Sequence, residues 1–238
     1  MENILHLCGD IAAAPVPSHE SHGIVFYTFP LSILRLSGAE DLPNIIAPEV
    51  MLRRFSEGDR IRVFGQVRSF SRRTENGSHL IISAWAKSID SAPDEPFDNR
   101  IRISGIVARP PVYRCTPYGR EITDIMLKCA RPIMPRTVPP AVSSENPPAE
   151  DSEAPAETFS ELSVESVGGF AGYNAIRTRC DFIPCVTWGS VARHCAGLET
   201  GTEVEFTGRL QSRPYTKIVD GMSFNRVAYE VSVAELRG

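Results

Sequence analysis

This sequence has no surplus of positive charge: its 238 residues carry 25 Lys and Arg against 29 Asp and Glu, a formal net charge of -4. On totals alone that disfavours nucleic acid, because phosphate binding requires a basic surface. The six cysteines, Cys8, Cys115, Cys129, Cys180, Cys185 and Cys195, include no Cys-x-x-Cys pair. That leaves neither a zinc site nor a disulfide framework and makes most of them small core residues. No run approaches the roughly 18 apolar residues of a membrane helix, and Met1 to Asp10 lack the charged-then-apolar order of a signal peptide, so a cytoplasmic protein is expected. Catalytic patterns are missing too. His19 and His22 stand in a Pro- and Ser-rich stretch with no completing ligands, and no Gly-Lys-Ser/Thr follows Gly168-Gly-Phe-Ala-Gly172. Asp124 and Asp181 fall singly on separate strands, and no Gly-x-Ser-x-Gly element exists. No enzyme, metal site or cofactor is expected.

What is present changes the meaning of the charge. Residues 137–175 hold seven acids and no Lys or Arg. The flanking stretches 98–136 and 176–238 hold sixteen Lys plus Arg against ten acids, so they are basic once the acidic segment is set aside. This Pro-rich acidic insertion, about 132–172, cannot support a packed core and is expected to be a long disordered loop. A second Pro- and acid-rich stretch, Ser91-Ala-Pro-Asp-Glu-Pro-Phe97, reads as a linker between a first domain, 1–90, and a second, 98–238. The two halves repeat one another. Asn3-Ile-Leu-His-Leu-Cys-Gly9 matches Asn99-Arg-Ile-Arg-Ile-Ser-Gly105, and Gly58-Asp-Arg-Ile-Arg-Val-Phe-Gly65 matches Gly201-Thr-Glu-Val-Glu-Phe-Thr-Gly208.

Period-two alternation dominates, which predicts an all-β chain. In the second half the strands are expected near Asn99–Val107, Glu121–Ala130, Cys180–Trp188, Glu203–Arg213 and Phe224–Val233, with a short helix at Ser190–Leu198. Five strands with a helix between the third and fourth is the connectivity of an OB-fold, so two tandem five-stranded OB barrels, each with a short helix, are expected. Alternation sends Ile101, Ile103, Ile125, Leu127, Val204, Phe206, Val227, Tyr229 and Val231 inward. It sends Arg100, Arg102, Lys128, Phe182, Trp188, Arg209, Gln211, Arg213 and Tyr215 outward. A large aromatic on a strand is usually core, and alternating Arg is usually a solvated face. Convergence of both on one face suits single-stranded nucleic acid, whose phosphates follow cations while bases stack on rings.

Asp181-Phe-Ile-Pro-Cys-Val-Thr-Trp-Gly189, Gly201 and Gly208-Arg-Leu-Gln-Ser-Arg-Pro-Tyr215 closely resemble the third and fourth strands of the bacterial single-stranded-DNA-binding protein family. Asn99–Gly105 and Tyr113–Gly119 resemble its first strand and following turn. The resemblance implies base stacking on Phe182, Trp188 and Tyr215, and DNA contact by Arg102, Arg209 and Arg213. It also implies a bacterial, nucleoid-associated role in replication, recombination or repair. Since the family commonly presents four OB-folds, a homodimer is expected. Family members end in an acidic tail that partners recognise; this sequence ends Val233-Ala-Glu-Leu-Arg-Gly238, and the acidic loop, with Phe159, is the candidate for recruiting replication or repair proteins. The first half resembles the family more weakly. Leu42 and Ala47 stand for the aromatics of its third strand and His6 for Arg102, while Arg68, Phe70, Arg72 and Arg73 supply a binding face on its fourth strand. The competing classes are a primosome-like or mobile-element paralogue acting through protein contacts, and an OB-fold nuclease.

Overall fold

The computed structural model describes residues 2–74, 77–132, 178–219 and 222–237. In chain order the strands are β1 (Asn3–Ile11), β2 (Val16–Ser21), β3 (Ile24–Leu34), β4 (Glu40–Asp41), β5 (Asn44–Pro48), β6 (Arg60–Thr74) and β7 (Gly77–Ser91) in the first half. The second half has β8 (Asp98–Val107), β9 (Val112–Cys115), β10 (Glu121–Pro132), β11 (Thr178–Trp188), β12 (Glu203–Val219) and β13 (Met222–Arg237). Helices α1 (Glu49–Leu52) and α2 (Gly189–Ala196) each join the third long strand of a half to its fourth. The expected acidic loop and Phe159 lie outside the described residues.

Each half closes on itself. In the first, β1 pairs β3, β3 pairs β5, β5 runs parallel to β7, and β7 returns through β6 to β1. In the second the circuit is β8, β10, β11, β13, β12 and back to β8, again with one parallel pair, β11 with β13. This is OB connectivity in both. Inward residues of the alternation fill one core: Leu5, Leu7, Ile61, Val63, Ile101, Ile103, Leu127, Val204 and Phe206 are all buried. Val227 departs from expectation. It is 48% exposed, opposite Pro214, where the β12–β13 hairpin continues past the barrel and has no core to face. Tyr229 is only half-buried, and burial pushes its hydroxyl above the ordinary range. Four of the six cysteines are core residues and none is bonded to another; desolvation pushes the Cys129 thiol up to about 12 and Cys195 to about 11.

The repeated glycines mark the places where strands cross too closely for a side chain. A Cβ on Gly9 would overlap the Ser32 carbonyl oxygen, and one on Gly105 would sit 2.7 Å from that of Lys128. On Gly65 and Gly208 it would overlap the carbonyl oxygens of Trp85 and Ser232, at the register shifts of β6 and β12. Gly58 and Gly201 repeat for another reason, with φ of 90° and 94° in the turn before the fourth strand.

The halves are joined edge to edge. β1 pairs antiparallel with β8 about Leu5↔Ile101, two positions that are themselves equivalent in the repeat, so a pseudo-twofold axis passes between them. Reciprocal side-chain clamps obey this axis. Asn3 takes the hydrogen bonds of a missing strand residue, donating to Val67 O at 2.7 Å and accepting from Val67 N at 2.9 Å. Asn99 does the same with Leu210 at 2.8 and 2.9 Å. Across the halves, Ser69 N donates to Asp181 Oδ1 at 3.0 Å while Phe182 N donates to Ser69 Oγ at 2.7 Å. On the other side, Ser212 N donates to Asp41 Oδ1 at 3.2 Å and Leu42 N to Ser212 Oγ at 2.8 Å. Asp41 is fully buried and also takes a bidentate pair from Arg35.

Gly65→Ala or Gly208→Ala should each cost about 1–3 kcal/mol, as forced overpacking does, seen as a lower urea midpoint at unchanged slope. Asp41→Ala should cost about 3 kcal/mol, because it strands a partly buried guanidinium and an interstrand amide together; an unchanged urea midpoint would show that the clamp carries no stability.

Candidate nucleic-acid interface

Phe182 and Trp188 lie on β11 at the same alternation parity, and Tyr215 lies on the outer stretch of β12. Ile183 and Cys185 on β11 are in the core, yet Phe182 and Trp188 remain 38% and 40% exposed, and Tyr215 is 39% exposed where β12 has left the barrel. Trp188 also stands at the N-cap of α2, held in extended conformation before the helix begins. Lys128 projects from β10 and is exposed.

The arginines do not all converge on these rings. Arg213 on β12 is 54% exposed, with Glu230 Oε1 3.3 Å from its Nε. Gln211, expected outward, is buried because its amide donates to the same Glu230 at 2.8 Å. Arg102 sits on β8, one strand removed from β11 through β10, and is held at 2.8 Å by both Glu2 and Glu205. These partners raise its basicity, the Glu205 hydrogen bond first. Arg209 lies at the junction of the halves, in a groove with Arg35, Arg60 and Phe97. Its Nε is buried 3.9 Å from Asp41 Oδ2, beyond hydrogen-bond range. Burial, then the neighbouring Arg35, lower its pKa.

In the first half, the registers of β5 with β7 and of β11 with β13 make Leu42 the counterpart of Phe182 and Pro48 the counterpart of Trp188. Ala47, expected at the second position, is instead fully buried in the core. Phe70 is 37% exposed and Arg72 is exposed, both on β6; the Arg73 side chain lies outside the described residues. The Arg68 guanidinium lies 4.1 Å from the centroid of Trp85. Trp85 also meets Phe26 at 4.9 Å and His19 at 5.9 Å, and His19 stacks on Phe26 with an interplanar angle of 7°. Burial lowers the His19 pKa. Trp85 and Phe26 carry no sequence-based expectation, although an indole at the end of the apolar run Leu80-Ile-Ile-Ser-Ala84 is a visible signal; His19, set aside in sequence as a metal ligand, lies on β2. Among the described residues, no helix is long and apolar enough to cross a membrane, and no group of three or more His, Cys, Asp or Glu is placed to hold a metal ion.

The class this architecture defines is a tandem pair of OB barrels with exposed rings on the third and fourth strands of the second. Within that class, the chain has the fold of the single-stranded DNA binding protein from Thermus aquaticus. It aligns with the wild-type protein at a TM-score of 0.63 and 17% identity, covering 99% of this chain and 92% of that one. It aligns with a deletion mutant of the same protein at 0.64 and 16%, covering 99% and 93%. No protein-family model and no curated protein matches.

Proposed function

We propose that this protein binds and protects single-stranded DNA without catalysis and largely without regard to sequence. The observation that carries this reading is that Phe182 and Trp188 are kept about two-fifths exposed on a strand whose opposite face is core, with Tyr215 equally exposed on the outer stretch of β12. Leaving such rings in water forgoes burial that the fold could use, and a base stacked on each recovers it. Arg213 and Lys128 would take phosphates beside them. Arg102 and Arg209 are also proposed contacts, Arg102 after exchanging its carboxylates for phosphate. The second domain, 98–238, would be the principal binding unit and the first, 1–90, with Arg68, Phe70, Arg72 and Arg73, the weaker one. The fold shared over 99% of the chain with a single-stranded DNA binding protein supports the same reading. We further propose a homodimer, so that four barrels meet the strand, with replication or repair proteins as partners.

Trp188→Ala and Tyr215→Ala should each weaken binding of labelled oligo-dT by about 1–3 kcal/mol in fluorescence anisotropy. Wild-type affinity in a folded Trp188→Ala protein would make that ring a bystander. Replacing Arg213 with Ala should reduce the slope of log affinity against log salt by about 0.7, the loss of one phosphate contact to a single strand. Conversely, Glu230→Gln should tighten binding at low salt, since the carboxylate competes with phosphate for Arg213. Light scattering should give twice the 26.2 kDa chain mass; a monomer with and without DNA would exclude the dimer.

A further inference from the structure

The third strand of the first barrel has lost its rings: Leu42 and Pro48 occupy the places of Phe182 and Trp188. The strands on either side of Pro48 have gained them. β3 and β7 both hydrogen-bond to β5; Phe26 is the direct cross-strand partner of Pro48, and Trp85 is registered with Ile46, two residues back on the same face. β2 adds His19, registered opposite Phe26 and stacked on it. The aromatic surface missing from the middle strand is thus restored from its flanks. At the counterparts of Phe26 and Trp85 the second barrel has Ile122 and Ser232, so this cluster is a property of the first barrel alone.

We infer that Trp85, His19 and Arg68, backed by Phe26, form a second nucleobase-stacking platform, which receives a DNA strand passing from Phe182 across the junction of the two barrels. The junction supplies the route. Phe182 N donates to Ser69 Oγ, so a ring of the second barrel is anchored beside the residue that follows Arg68 in the first. From Arg68 the outward face of β6 leads to Phe70 and Arg72 in one direction and to the indole of Trp85 in the other. His19 and Trp85 are half-buried and so reach the surface, whereas Phe26 beneath them is 9% exposed and serves as backing. The Arg68 guanidinium, 4.1 Å over the indole, adds a cation beside the rings, where the phosphates of a stacked strand would pass.

The platform rests on the reading of the chain as a single-strand binder, and the test separates the two. The chain has two tryptophans, so Trp188→Phe leaves Trp85 as the sole indole reporter; since position 188 is itself a proposed contact, the affinity of this variant for each oligomer is measured first. An oligo-dT of about 8 nucleotides fits one barrel, and one of about 30 is long enough for both. Binding of the longer oligomer to the Trp188→Phe protein should change Trp85 emission, and the shorter should change it far less at equal occupancy of the stronger site. In the otherwise native chain, Trp85→Ala should weaken the long oligomer about tenfold and the short one less than about twofold; His19→Ala should act in the same direction. Long-oligomer binding that leaves Trp85 emission unchanged overturns the platform, as does a folded Trp85→Ala protein of native affinity. If Trp85→Ala fails to fold, the emission result decides. No binding of either oligomer by the wild-type chain overturns the parent reading and the platform with it.

Discussion

The pairing of β1 with β8 is the constraint on which the rest depends. It turns two closed barrels into one continuous sheet, and it works because Leu5 and Ile101 are both buried on the inward side of that seam. Backbone bonds alone would tolerate a slip of two residues that keeps the same faces inward. The Ser69 and Ser212 hydroxyls remove that freedom, since each accepts from a particular backbone amide of the opposite half, while the Asn3 and Asn99 amides fix β1 against β6 and β8 against β12. Ring placement follows: Phe182 is where it is because its own amide is held by Ser69.

The two sides of the pseudo-twofold axis are equal in geometry and unequal in chemistry. Asp41 is bonded by Arg35 and approached by Arg209, which leaves one cationic charge more than acid at that corner. On the corresponding side Gln66 stands where Arg209 stands, and the Arg68 cation is turned toward an indole. The backbone scaffold is duplicated while the side chains that could meet a ligand are not, which is the pattern of a shared support carrying two distinct surfaces.

Much of the scaffold was legible in the sequence because it is written in local signals. In the second half alternation places every strand start within two residues of the observed one, while β12 and β13 run six and four residues beyond their expected ends, and the repeated glycines mark turns and crossings that admit no side chain. The faces follow the alternation at most positions beside the core and depart from it at Val227, where the hairpin leaves the barrel, and at Gln211, whose amide is drawn in by Glu230. The clamps were not legible one by one. Asn3 meets Val67, and Asp41 meets Ser212, over separations that no window of sequence contains. Yet Asn3 recurs as Asn99, Asp41 as Asp181 and Ser69 as Ser212, so residue-by-residue alignment of the halves exposes the polar member of each clamp. Trp188's counterpart, expected at Ala47, is Pro48, because it is fixed by the register of β5 with β7, which pairs strands far apart in sequence.

Having both barrels in one polypeptide also sets how their association responds to dilution. Two separate OB subunits joined by a single strand pair would part as their concentration fell, with a loss set by their dissociation constant. Here β7 runs into β8 through residues 92–97, where Ala92 N bonds to Arg60 O and Arg60 lies 4.0 Å over the Phe97 ring, so the short connection is itself docked. The effective concentration of one barrel at the other is that of a short tether, and it stays constant however scarce the protein becomes in the cell.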